Sequence, residues 1–81
     1  MQISYFGKLR EQLKIASEEV TLNDDLITAG DLRDWLAASH INGECLRANS
    51  VRVIIDDDIS TWERNIRNAV TVAFIPPVSG G

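Results

Sequence analysis

The sequence predicts an α+β domain in which one main helix covers one face of a mixed sheet of about five strands. Apolar and polar residues alternate near both ends of the chain, at 2–6 and 70–75, as they do in strands with one buried face. Between them, residues 28–39 combine a helix-start pattern with apolar residues at helical spacing. A length of 81 residues allows one domain with a small core.

Composition restricts the class of protein. Hydrophobic residues make up 44% and charged residues 25% of the chain, as in ordinary folded domains. We expect a cytoplasmic protein, because there is no apolar run of membrane-spanning length, no signal-peptide pattern and only one cysteine. The net charge of −4 argues against nucleic acid and anionic membranes as partners, and favours a docking partner that is locally basic.

Strands are predicted where apolar residues alternate or cluster between turn signals. The predicted strands are 2–6, 18–22, 51–55, a short segment at 59–62, and 70–75. The side chains expected to face the core from these strands include Ile3, Tyr5, Val20, Leu22, Val70, Val72 and Phe74.

Two helices are predicted. A short helix is expected at 8–14, where two leucines lie one turn apart. The main helix is expected at 28–39, because Thr28 followed three residues later by Asp31 forms a capping-box pattern. Its expected apolar face is formed by Leu32, Trp35 and Leu36. The stretches predicted as loops or turns are 23–25, 41–50, 56–58 and 63–68.

This order of elements predicts parallel first and last strands at the centre of the sheet, as in a β-grasp arrangement. Phe6 and Ile75 then lie on the face opposite the main helix, partly exposed, and Ile59 is a candidate to join them. An apolar patch there would be a docking surface. The alternative is that the short helix at 8–14 folds over it.

The end of the chain is the strongest functional signal. We separate a domain at 1–75 from an extended tail at 76–81. The tail consists of Pro76, Pro77, Val78, Ser79, Gly80 and Gly81. Prolines make a semi-rigid spacer, and glycines without Cβ atoms can pass through a narrow channel. The sequence therefore predicts that the C-terminal carboxylate of Gly81 is the reactive group.

Other residues give weaker signals. His40 is expected to be solvated at a helix end, and Cys45 is expected to be an ordinary free thiol, with a persulfide as the alternative. Asp56–Asp58 is expected to be a solvated turn, since the spacing of a calcium loop is missing. Trp35 and Trp62 are expected to pack in the fold. We therefore predict no metal site and no bound cofactor.

A carboxylate is a poor electrophile and needs activation. Glycine-rich phosphate-binding motifs are missing from the sequence, so the activating enzyme must be another protein that uses ATP to adenylate Gly81. Attack by an amine would then give an isopeptide conjugate, and attack by a sulfur donor would give a thiocarboxylate. In both routes the chain is non-catalytic alone.

Several segments resemble the small subunits of molybdopterin synthase, which are ubiquitin-like sulfur carriers. The first strand-helix junction is similar at Phe6, Arg10 and Glu11. The main-helix opening is similar at Thr28, Leu32, Arg33 and Leu36. Residues 72–81 are very similar to the family's ending. The resemblance spans essentially the whole chain, and the ending is its most specific part.

The resemblance implies a function. An adenylating enzyme similar to ubiquitin's E1, together with a sulfur donor, would convert Gly81 to a thiocarboxylate. The carrier would then dock on the large synthase subunit, in a heterotetramer, and deliver sulfur to cyclic pyranopterin monophosphate to form the dithiolene of molybdopterin. Gly80 would permit threading of the tail. Phe6, Ile59 and Ile75 would fall on the family's docking surface.

Two turns depart from the family pattern, at Asp56–Asp58 and at 68–70, which leaves local loop shape and partner preference open. Three other functions also remain open. They are a sulfur carrier for thiazole or amino-acid synthesis, a ubiquitin-like protein modifier, and a non-covalent interaction module.

Overall fold

The computed structural model describes residues 1–76, in which five strands form one sheet. The strands are β1 Gln2–Tyr5, β2 Ser17–Glu19, β3 Arg52–Ile55, β4 Asp58–Ser60 and β5 Thr71–Ile75. The helices are α1 Gly7–Leu13, α2 Ala29–Ser39 and a 3-10 helix at Gly43–Arg47. This arrangement confirms the α+β, β-grasp prediction.

The sheet has the strand order β2-β1-β5-β3-β4. β1 and β5 pair in parallel, with Tyr5 opposite Phe74, and the other neighbours pair antiparallel. The first and last strands are therefore interior neighbours, as predicted.

The inner face of the sheet is buried under α2. The sheet contributes Ile3, Tyr5, Val53, Ile55, Val72 and Phe74 to the core, each at most 1% exposed. The helix contributes Ala29, Leu32 and Leu36, each fully buried. Aromatic rings stack through this core, with the Phe74 centroid 5.9 Å from that of Tyr5 and 6.1 Å from that of Trp62. Trp62 thus packs in the fold, as predicted.

The start of α2 confirms the predicted capping box. Thr28 Oγ1 accepts a hydrogen bond from the Asp31 N–H at 3.1 Å, and Asp31 Oδ2 accepts one from the Thr28 N–H at 3.0 Å. These two bonds satisfy N–H groups that have no partner within the helix. The backbone hydrogen bonds from Thr28 and Ile27 hold the pKa of Asp31 below its ordinary value.

Two regions predicted as loops contribute to the core. The stretch 41–50 contains the 3-10 helix, whose Leu46 is fully buried. In the stretch 63–68, Ile66 is fully buried and its N–H donates to the Ile27 carbonyl at 2.9 Å. Each places one fully buried apolar side chain in the core, which is too few for a periodic pattern.

The prediction that Val70 faces the core is wrong, since its side chain is 70% exposed. The Val70 N–H donates to Asp56 Oδ1 at 2.9 Å, and β5 begins only at Thr71. The Val70 carbonyl still accepts the Gln2 N–H at 3.0 Å, but on the side facing β3 a side chain takes the place of a backbone partner, so β5 begins at Thr71.

Two further predictions about buried faces need correction. Strand β2 ends at Glu19, so Val20 and Leu22 reach the core from a loop, and Leu22 is only partly buried. Trp35 is 37% exposed, because the buried stripe of α2 follows Leu32 and Leu36 and leaves Trp35 at its edge.

Candidate docking face and tail root

The outer face of the sheet, opposite α2, is built from the alternate residues of the same strands. We use the name outer face for seven of the residues on that side: Ser4, Arg52, Ile54, Ile59, Ala73 and Ile75 from the strands, and Phe6, which directly follows β1. Phe6 is 48% exposed and Ile59 is 82% exposed, and Ile75 is partly exposed. The predicted placement of these three apolar side chains opposite the main helix is confirmed.

An apolar row crosses the outer face from the edge strand inward. Ile59 in β4 pairs with Ile54 in β3, and Ile54 pairs with Ala73 in β5. Ser4 in β1 then pairs with Ala73 and ends the apolar part of the row. Ile54 was not predicted to face out, because Arg52 is the one polar residue of the run at 51–55 and gives only a weak sign of which side chains lie on the outer face.

A second row lies nearer the end of β5. Arg52 pairs with Ile75, and Phe6 follows Tyr5 on the other side of Ile75. The Phe6 N–H donates to the Phe74 carbonyl at 3.2 Å, which extends the parallel ladder to this point. Phe6 and Ile75 are thus neighbours at the place where the strand passes into the tail.

The tail root comprises Phe6, Gly7, Ile75 and Pro76. Gly7 has a φ of +54°, which favours glycine, and a Cβ atom at this position would lie 2.9 Å from Pro76 Cγ. The chain turn that starts α1 therefore packs against the first residue of the tail. The other tail residues named above, Pro77, Val78, Ser79, Gly80 and Gly81, lie outside the described residues.

Helix α1 does not cover the outer face. Its Leu9 is 3% exposed and joins the core, and the helix contacts β5 and the 3-10 helix. The alternative in which this helix folds over the apolar patch predicted at Phe6 and Ile75 is therefore wrong.

His40 and Glu18 form a polar cluster away from the outer face. His40 Nε2 lies 2.7 Å from Glu18 Oε2, and the same oxygen accepts a hydrogen bond from the Tyr5 hydroxyl at 2.6 Å. His40 is thus partly buried and bonded, which corrects the prediction of a solvated side chain. Burial and the Glu18 carboxylate raise the pKa of Tyr5 well above its ordinary value.

The remaining candidates for chemistry are Cys45 and the acidic residues of the turn after β3. Burial raises the pKa of the Cys45 thiol, which reduces the thiolate fraction and supports an unreactive thiol. Asp56 and Asp57 form the turn between β3 and β4. Within residues 1–76, no group of three or more His, Cys, Asp or Glu side chains is placed to hold a metal ion. None of the helices in that range is long and apolar enough to cross a bilayer.

Comparisons with known proteins agree with this fold. A model described as the ThiS family matches residues 3–81. A Haemophilus influenzae protein described as a molybdopterin synthase sulfur carrier subunit is 28% identical over 82 aligned residues, which cover 100% of this chain and 99% of that protein.

Two solved structures share the fold. SAMP1 from Haloferax volcanii superposes with a TM-score of 0.79 at 22% identity, covering 99% of this chain and 97% of that one. A putative molybdopterin converting factor, subunit 1, from Pyrococcus furiosus gives a TM-score of 0.74 at 17% identity, covering 95% of each chain.

Proposed function

Since this chain belongs to the ThiS family, we propose that it is a sulfur carrier, and specifically the small subunit of a molybdopterin synthase. It docks on partner proteins through the outer face of its sheet and presents the carboxyl group of Gly81 to their active sites. The choice of pathway is supported by the Haemophilus influenzae relative, whose description names molybdopterin synthase and whose alignment covers the whole of this chain.

The observation that carries the proposal is the continuity between the apolar outer face and the tail root. Phe6 and Ile75 are neighbours where β5 ends, and the row from Ile59 to Ala73 extends the apolar surface across the sheet. Monomeric proteins seldom leave such a patch uncovered, and a protein partner is the usual reason for one. A partner seated on this face would have the tail root at its margin.

The chemistry at Gly81 needs two steps before sulfur delivery. An adenylating enzyme joins the carboxylate to AMP from ATP, with pyrophosphate as the leaving group. A donor that supplies sulfur at the oxidation level of sulfide then attacks the acyl carbon, AMP leaves, and a thiocarboxylate remains. The sulfur of this group is a soft nucleophile that attacks a carbon of the pterin precursor and displaces an oxygen substituent. Hydrolysis of the resulting thioester returns the carboxylate of Gly81 and leaves the sulfur on the pterin.

The catalytic groups for this chemistry are expected on the partner proteins, given where the reactive side chains of this domain lie. The Tyr5–Glu18–His40 cluster lies on the inner side of the sheet, opposite the outer face, and Cys45 carries a thiol whose pKa is raised by burial. The proposed partners, an adenylating enzyme and the large synthase subunit, therefore supply the catalytic groups. This chain supplies recognition and a threadable end.

Intact-mass spectrometry tests the proposal. The chain is incubated with ATP, the adenylating enzyme and a sulfur donor, and replacement of one oxygen atom by sulfur at Gly81 is the expected result. A variant lacking Gly81 is the matched control and should stay unchanged in mass. If the mass of the full chain also stays unchanged, and the shortened variant retains synthase activity, the proposed function is wrong.

Repeating the experiment with the large subunit and the pterin precursor, and then with other proteins present, separates the alternatives. Sulfur exchange without transfer to the pterin precursor in the presence of the large subunit would indicate a carrier for another pathway. Adducts on lysine side chains of other proteins would indicate a protein modifier.

A further inference from the structure

We infer that Arg52 is a specificity residue of the outer face, and that the docking surface of the partner presents a carboxylate beside the point where the tail enters. This inference rests on the proposed function, because it assumes that the outer face is covered when the carrier docks. It concerns the chemistry of the partner surface at one defined place.

The position of Arg52 is the first argument. Its register partner in β5 is Ile75, so its side chain belongs to the row of the outer face nearest the tail root. The residue is exposed and borders the apolar row that runs through Ile54. A partner that covers Ile75 must also approach the Arg52 guanidinium.

The hydrogen bonds of Arg52 are the second argument. Its Nη1 donates to the carbonyl oxygens of Asn49 at 3.0 Å and Val51 at 3.3 Å. These bonds from Nη1 hold the guanidinium group in place. Neither Nε nor Nη2 of Arg52 donates a hydrogen bond to any residue within 1–76. Arg52 also forms no ion pair with the carboxylates of that range, in contrast to the paired arginines Arg33, Arg47, Arg64 and Arg67.

The third argument is the energetic cost of removing the Arg52 guanidinium from water when the partner docks. A guanidinium taken out of water without an anionic partner carries a large energetic penalty. Two of its nitrogens remain available as donors, and a planar fork of donors matches the two oxygens of a carboxylate. The partner surface is therefore expected to carry an Asp or Glu opposite Arg52, inside an otherwise apolar contact.

The positive charge of Arg52 is opposite in sign to the net charge of the whole chain. The net charge of −4 favours a locally basic partner, but the charged residue next to the tail root on the outer face is an arginine. Long-range attraction and local recognition would then use charges of opposite sign. The net charge would set the rate of approach, and Arg52 would select the partner at contact.

Binding of the purified large subunit of molybdopterin synthase from the same organism tests the inference. Arg52→Glu should weaken the affinity at least about ten-fold, because it places like charges in contact. Arg52→Gln should weaken the affinity less and should reduce the dependence of Kd on salt. Arg52→Lys should keep part of the affinity and part of the salt dependence. Arg47→Glu is the matched control, since Arg47 is an exposed arginine of the 3-10 helix, away from the outer face.

The salt dependence distinguishes recognition from a structural role. Loss of the bonds to Asn49 and Val51 would lower the melting temperature but would leave the salt dependence of Kd unchanged. Arg52 variants with unchanged affinity and salt dependence would overturn the inference. Ile59→Asp serves as the independent measure of the docking face. If it weakens binding and Arg52→Glu does not, the inference alone fails; if neither does, the proposed docking face fails too.

Discussion

Asp56 and Thr71 are joined by two hydrogen bonds, although 15 positions separate them in the chain. The Asp56 N–H donates to the Thr71 carbonyl at 3.0 Å, and Asp56 Oδ1 accepts the Thr71 N–H at 2.9 Å. Asp56 and Asp57 have φ values of 48° and 71°, as in the two-residue type I′ turns of β-hairpins. One carboxylate therefore links the turn after β3 to the start of the last strand.

This link predicts a loss of stability in acid. The hydrogen bonds from Thr71 and Val70 hold the pKa of Asp56 below its ordinary value of 3.8. A lowered pKa stabilises the fold above the ordinary pKa, and this contribution is lost as the pH falls through the lower, folded-state pKa. We expect the free energy of unfolding in urea to fall progressively as the pH is lowered below about 5.

Asparagine variants identify the carboxylate responsible. Asp56→Asn cannot be protonated in this range and should lose less stability on acidification than the unaltered chain. Asp31 contributes with the same sign, so Asp31→Asn should act in the same direction. Asp57→Asn is the control from the same turn, and an equal effect of Asp57→Asn and Asp56→Asn would contradict the assignment.

The outer face predicts a second result. Ile59→Asp should weaken binding to the large synthase subunit by about ten- to hundred-fold, since burial of an isoleucine contributes about 1.5–3 kcal/mol. The melting temperature should hardly change, because Ile59 is 82% exposed. Phe6→Asp and Ile75→Asp should act in the same direction.

Ile41→Asp is the matched control for these variants. Ile41 is 102% exposed and follows α2, so it lies away from the outer face. Isothermal titration calorimetry should show a loss of affinity for the large synthase subunit only in the variants of the outer face. Weaker binding by Ile41→Asp, with Ile59→Asp unaffected, would place the docking surface elsewhere.

The close packing around Gly43 predicts that a larger side chain at this position destabilises the fold. An added Cβ would lie 2.2 Å from the carbonyl oxygen of Ala37, so the contact between α2 and the 3-10 helix would have to open. Gly43→Ala should lower the free energy of unfolding by about 1–3 kcal/mol, the usual range for an overpacked interior. Gly30→Ala is the control, because the nearest atom to its Cβ, the Trp62 carbonyl oxygen, is 3.3 Å away. Equal melting temperatures for the two variants would contradict this packing.

Tyr5 predicts a spectroscopic result, since it is the one tyrosine in the sequence. Burial, followed by the hydrogen bond to Glu18, raises its pKa above the ordinary 10.0. The associated stabilisation is complete below pH 10.0 and is lost as the pH rises above it. Tyrosinate absorbance should therefore appear only together with loss of the native circular dichroism spectrum. Glu18→Gln should move ionisation to lower pH, and ionisation near pH 10 in a native fold would contradict the environment described for Tyr5.

Local chemistry explains which parts of the fold were predictable. The capping box at Thr28 and Asp31 involves neighbours in sequence, and so does the alternation that buries Ile3 and Tyr5. The environment of His40 was not predictable, because Glu18 lies 22 positions away. Val70 was assigned to the wrong environment for a similar reason, since its strand partner was replaced by the side chain of Asp56.

The sequence by itself determined the fold class, the main helix and the apolar character of Phe6, Ile59 and Ile75. Only the tertiary structure decided that Ile54 and Ala73 join these residues, and that Arg52 stands beside Ile75. The physical reason is that strand register is a long-range property, and a shift by one residue would turn each side chain to the other face. The composition of the outer face therefore depends on pairings between distant segments.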